Sequence, residues 1–146
     1  MNSLIGDKIE LAELANKLFM YTDAHQWNLL ESEVFTEIVE FDMQSISGQP
    51  PQQMKASEIC NLWKNGFKGI DVVHHQGGHY LIKVENDGAD IYGYAVATHY
   101  KKEATKGNTR SFTGSYDLKA IKTMHGWRLT HFKYNLKFSD GNVALE

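Results

Sequence analysis

Asp23, His75 and His99 are the residues of this chain whose types suit proton-transfer chemistry. Asp23 ends an apolar-periodic stretch, LANKLFMYTDAHQW, while the histidines stand in two later stretches, VVHHQGGHYLIKV and IYGYAVATHYKK. A carboxylate beside an imidazole fixes its tautomer and stabilises its charged form, and histidine titrates near neutral pH. An acid and two histidines are therefore the parts of a cavity that moves protons. They lie on three separate elements, so spacing alone does not decide whether they meet.

Each has a plainer reading. Asp23 is also what an exposed helix-terminal acid looks like, and His75 and His99 are compatible with satisfied strand histidines. Tyr21 reads as a core aromatic with its hydroxyl at the edge, and Tyr116 has no assignable side. The His74, His75, His79 cluster resembles a metal set, but Gly77-Gly78 argues against a helix. In an extended strand His75 and His79 would stand roughly 13 Å apart, too far to share an ion. His125 beside Gly126 reads as a turn residue. His131 alternates with Trp127 and Leu129, which puts it on their side in a structural role.

Elements that would position these groups follow from periodicity. Asp7 is a plausible cap for a first helix with Ile9, Leu11, Leu14, Ala15, Leu18 and Phe19 on its apolar stripe. Asp23, four residues after Phe19, falls on or beside that stripe. A short helix is expected over about Trp27–Glu33. VFTEIVEFDMQS then alternates as a half-buried strand, with Val39, Phe41 and Met43 on one side. SGQPPQQ reads as a loop. KASEICNLWKNGF reads as a helix with Ile59, Leu62 and Trp63 inward. After Gly69 the period becomes two, with strands expected at about Val72–Glu85, Ala89–Ala104, Thr109–Lys122 and Trp127–Phe138. Helices followed by a long meander predict an α+β domain whose sheet curls. In the second of these strands Gly93, Ala95, Ala97 and His99 share one face, leaving room for a ligand or a closely packed helix. Tyr92, Tyr94 and Val96 share the other, and such an exposed row predicts a second copy of the chain against it.

Composition bounds the function. At 146 residues, 42% of them hydrophobic, the chain suits one globular domain. Its net charge of −3, without a basic run, argues against a nucleic-acid binder. Cys60, the single cysteine, reads as a small core residue in a reducing compartment. No apolar stretch reaches membrane-spanning length and the first residues carry charge too early for a signal peptide, so a soluble cytoplasmic protein is expected. There is no phosphate-binding glycine loop, no Gly-x-Ser-x-Gly elbow and no site for an organic cofactor.

The order of YTDAHQW, VFTEIVEFDM, VVHHQGGHYLIKV, YAVATHY and GSYDLKAIKTMHGWRL resembles the SnoaL-like branch of the nuclear-transport-factor-2-like superfamily across nearly the whole chain. The resemblance implies a cone-shaped domain, N-terminal helices closing a strongly curved sheet around a pocket, commonly as a homodimer. The superfamily holds dehydratases, a dehydrochlorinase, polyketide cyclases, ketosteroid isomerase and non-enzymatic binding members. In the first two branches a helix aspartate pairs with a strand histidine. Asp23 matches that aspartate, His75 the histidine with His74 as alternative, and His99 a second histidine of the dehydratase. An asparagine often stands where this chain has His79. The aspartate and oxyanion-hole set of the isomerase has no counterpart. The resemblance thus implies a lyase or isomerase acting on a hydrophobic small molecule, with Asp23, His75 and His99 catalytic and no cofactor. The rival expectations are a non-catalytic binding or dimerisation module and the accessory small subunit of an oxygenase.

Overall fold

The computed structural model of the chain describes residues 3–146. Helix α1 runs over Leu4–Asp23 and is capped by Ser3, whose hydroxyl accepts from the Gly6 amide at 3.0 Å. Asp7, expected as the cap, lies inside the first turn, where the helix dipole favours an acid. There its carboxylate accepts from Lys122 Nζ and the Trp127 indole. Leu11, Leu14, Ala15, Leu18, Phe19 and Thr22 form the buried stripe. Ile9 was expected on it but is 57% exposed, because it lies about 200° around the helix from Leu11.

Helix α2, Trp27–Leu29, continues as a π-helical turn over Leu30–Val34 that buries Leu30 and Val34 completely. Strand β1, Phe35–Asp42, buries Val39 and Phe41 as the alternation predicts. Met43 was expected in that strand but instead leads into helix α3, Gln44–Ser47. The supposed SGQPPQQ loop ends in a short edge strand, β2 (Gln52–Lys55), paired antiparallel with β1. A polar strand of this kind has no apolar alternation to betray it. In helix α4, Ala56–Gly66, the buried face is Ala56, Ile59 and Cys60, with Trp63 half-buried against the rings of Phe35, Phe41 and Phe132. Leu62, expected inward, lies off that face and is half exposed.

The meander is β3 (Val72–Glu85), β4 (Gly88–Tyr100), β5 (Thr109–Thr123) and β6 (Gly126–Gly141). The sheet order is β2-β1-β6-β5-β4-β3, antiparallel except for β1 against β6. The result is an α+β cone: one curved sheet, open at β2 and β3, with the helices and the core on its concave side. β4 stops at Tyr100 rather than Ala104, since the Asn108 side chain donates to the carbonyls of Lys101, Lys102 and Ala104 and ties that segment into a loop. Alternation is regular in β4, with Ile91, Gly93, Ala95, Ala97 and His99 buried. In β6 it slips. Trp127 and Leu129 are buried, then Phe132 and Tyr134, so His131 is exposed rather than on the side of Trp127 and Leu129. A register shift against β5 at Lys119/Ala120 produces that change of phase.

Candidate active site

Asp23 is the last residue of α1, and its carboxylate grips His75 at two points. Oδ2 accepts from the His75 backbone amide at 2.8 Å, and Oδ1 lies 2.6 Å from the ring Nδ1. β3 is an edge strand, so alternate amides have no ladder partner; Asp23 takes one of them. A carboxylate at Nδ1 favours the tautomer with the proton there and the lone pair on Nε2. Phe19, one turn earlier in α1, stacks on the His75 ring at 5.4 Å and 19°. It fits only because Gly77 has no Cβ, which would come within 2.7 Å of the Phe19 ring. His74 faces the other way, its side chain 64% exposed and Nδ1 3.9 Å from the carboxylate. A bulge at Gly77-Gly78 would have changed which of His74 and His75 faces inward; the register shift falls just beyond, where His79 and Tyr80 together oppose Gly93 and His79 has a φ of 57°. The phase at His75 is therefore undisturbed.

His99 comes from β4 and is buried. It pairs across the ladder with Arg110 of β5, whose Nε donates to His99 Nδ1 at 3.0 Å. Phe67, just past α4, meets its ring edge-on at 5.4 Å and is itself stacked against His25 and Trp27. Burial, then the Arg110 cation, then His75 lower the His99 pKa to about 4, with Asp23 opposing them.

These groups border a cavity of about 410 Å³. Its walls are mainly Leu18, Phe19, Trp63, Phe67, Phe112 and Phe132, with His75, His99, Arg110, Tyr116 and Tyr134 as polar interruptions. Asp23 does not line it; the carboxylate stands behind His75. The floor at Ala97 is small, which leaves space between His75 and Phe112 in the same cross-strand row. The small face of β4 thus serves two ends. Tyr80 fills the space above Gly93, where a Cβ would meet its ring at 2.6 Å, while Ala97 and His99 face the cavity. Tyr116, unassigned from sequence, is buried between Phe19, Phe132 and Tyr134, and burial raises its phenol pKa. The Tyr134 hydroxyl is buried with no hydrogen-bond partner among the described residues, and burial pushes its pKa up to about 12.

A larger hollow of about 580 Å³ lies over Tyr80, Lys83, Asp90 and Lys119. None of Asp23, His75, His99 and Arg110 borders it. Lys119 is bound to Asp90 there. Tyr21 donates to Glu33 at 2.6 Å and does not line the 410 Å³ cavity. His125 stands in the exposed β5–β6 turn. Among the described residues no group of three or more His, Cys, Asp or Glu side chains is placed to hold a metal ion, and no helix is long and apolar enough to cross a membrane. Arg110 and Tyr134 were not anticipated. Arg110 could have been placed opposite His99 had the β4–β5 connection been a tight turn of known register; the long loop hides it.

Residues 5–133 match the family profile of a SnoaL-like domain. The crystal structure of a protein from Kribbella flavida is similar at 25% identity and a TM-score of 0.92, with 98% of each chain covered. A candidate scytalone dehydratase from Novosphingobium aromaticivorans superposes with a TM-score of 0.80 at 10% identity, over 93% of this chain and 87% of that one. A type 2 hexachlorocyclohexane dehydrochlorinase does so with a TM-score of 0.76 at 13% identity, over 93% and 88%. At such identities the last two show likeness of fold. No curated protein matches the sequence.

Proposed function

The chain belongs to the SnoaL-like family of the nuclear-transport-factor-2-like superfamily, and from that premise we propose that it is a lyase or isomerase of a hydrophobic, cyclic small molecule. The observation that carries this reading is the two-point grip of Asp23 on His75, with the ring bordering an apolar cavity. His75 Nε2 takes a proton from a mildly acidic C–H. The C–H electron pair moves onto an adjacent carbonyl oxygen, and His99 hydrogen-bonds the oxyanion that forms. Asp23 stabilises the imidazolium meanwhile. Collapse of the enolate then either expels a neighbouring leaving group, which His75 can protonate, or returns the proton to a different carbon. Neither route requires an organic cofactor.

Dehydratase and dehydrochlorinase neighbours of the same fold support a lyase-type or isomerase reading without choosing between them. Proton abstraction can be followed before the product is known. Mass spectrometry of small molecules carried by the purified protein identifies ligands, and NMR in D2O reads hydrogen–deuterium exchange at their acidic C–H. Wild-type protein should accelerate the exchange and His75→Ala should abolish the acceleration. A tightly held ligand with no exchange and no turnover would instead establish the binding-module reading.

A further inference from the structure

The two cavity histidines carry opposite partners on the same ring atom. At His75 Nδ1 stands the carboxylate of Asp23, an acceptor. At His99 Nδ1 stands the guanidinium of Arg110, which has N–H donors and no acceptor. We propose that Arg110 is a positioning residue that holds His99 neutral with its proton on Nε2, so that His99 acts only as a hydrogen-bond donor and His75 is the single base of the cavity.

The contact permits only one arrangement. Arg110 Nε–H can point at Nδ1 only if Nδ1 bears a lone pair, which places the imidazole proton on Nε2. Protonating His99 would set N–H against N–H and bring two cations together. Arg110 cannot easily swing away, because its Nη1 donates to the Val143 carbonyl at 2.7 Å and its guanidinium lies 5.5 Å over the Phe112 ring. Arg110 on β5, His75 on β3 and Asp23 at the end of α1 are the charged and titratable groups acting on His99, and Phe67 and Phe112 wall it with apolar surface. Asp23 favours a charged His99, but its oxygens are already engaged by the His75 ring and amide. Nε2 of His99 has no partner among the described residues, and the residue lines the cavity, so its N–H is left for a ligand oxygen. Separated partners of this kind divide acid and base roles between like residues.

The catalytic meaning of this assignment rests on the lyase or isomerase reading; the protonation pattern does not. Long-range 1H–15N NMR of the labelled protein resolves both imidazoles, with His99→Gln to assign them. From pH 8 to pH 5 the expected wild-type His99 has a bare Nδ1, a protonated Nε2 and no titration. In Arg110→Met the proton should spread over both nitrogens and the His99 midpoint rise by about one pH unit or more, while the His75 signals stay in place. A His99 with its proton on Nδ1, an imidazolium at pH 7, or a folded Arg110→Met protein with an unchanged His99 spectrum would each overturn the proposal. Should Arg110→Met fail to fold, the wild-type spectrum decides by itself. An inert protein with a bare His99 Nδ1 keeps the role of Arg110 and loses the lyase reading; an active one with a protonated Nδ1 does the reverse.

Discussion

At the scale of single residues, Asp23 works behind the cavity wall and His75 in it. Asp23→Asn preserves the size of the side chain, so the fold should survive, as far-UV circular dichroism can show. Turnover should fall by roughly two to four orders of magnitude, because an amide neither stabilises an imidazolium nor enforces the tautomer. His75→Ala should lose a comparable factor, and the double variant should be little worse than either single one, since the pair acts as a unit. Steady-state kinetics decide this: multiplicative losses would mean separate jobs and end the dyad mechanism. The aspartate was legible from its place one turn after Phe19, and the choice of His75 over His74 came from resemblance. The two-point grip was not legible, because it depends on an edge-strand amide whose freedom is a property of the finished sheet.

At the scale of elements, glycines on the concave face are seats for aromatic rings. Gly77 admits Phe19, Gly93 admits Tyr80, and Gly114 admits Tyr134. Gly114 is the least forgiving. A Cβ there would sit 2.5 Å from the Asn135 carbonyl oxygen and 2.6 Å from the Tyr134 ring and hydroxyl, and backbone cannot step aside. Gly114→Ala should therefore cost about 1–3 kcal/mol in denaturant unfolding. It should also displace Tyr134, which the tyrosine fluorescence and ligand affinity would register. An unchanged unfolding midpoint would show that the sheet absorbs the methyl. Small residues on β4 pointed to close approach, yet the partner of each was invisible, because the approaching ring comes from another strand or from α1.

At the scale of the whole molecule, His99 couples the fold to pH. Its pKa is about 4 in the folded protein against 6.5 ordinarily. Between those values the unfolded chain binds the proton and the folded one does not. Stability therefore falls as pH drops from about 6.5 to about 4, by up to about 3 kcal/mol, and is indifferent to this group above that window. Urea unfolding across that range should show the slope, and His99→Gln should remove about one proton's worth of it. An equal slope in both proteins would assign the acid sensitivity elsewhere. Outside the cone, Leu81 and Tyr92 pair in one cross-strand row, Val96, Thr113 and Phe138 in another, with Tyr94 between them. Leu81 is 71% and Phe138 56% exposed. We propose that this apolar face covers a second copy of the chain. Sedimentation at micromolar concentration should then give a dimer, and Tyr94→Glu a monomer; a wild-type monomer would count against the pairing.

The sequence by itself determined the period of each long element, and hence the α+β class, the four meander strands and the inward set Gly93, Ala95, Ala97 and His99. Periodicity is local, and burial enforces it residue by residue. It also carried enough order for the family resemblance, and with it Asp23 and His75. Tertiary structure alone decided the rest. The polar β2 strand exists because β1 offers an edge, His131 turns outward because β6 slips against β5, and Arg110 meets His99 because a long loop happens to close in that register. Each of these depends on how one element meets another, which no local pattern encodes.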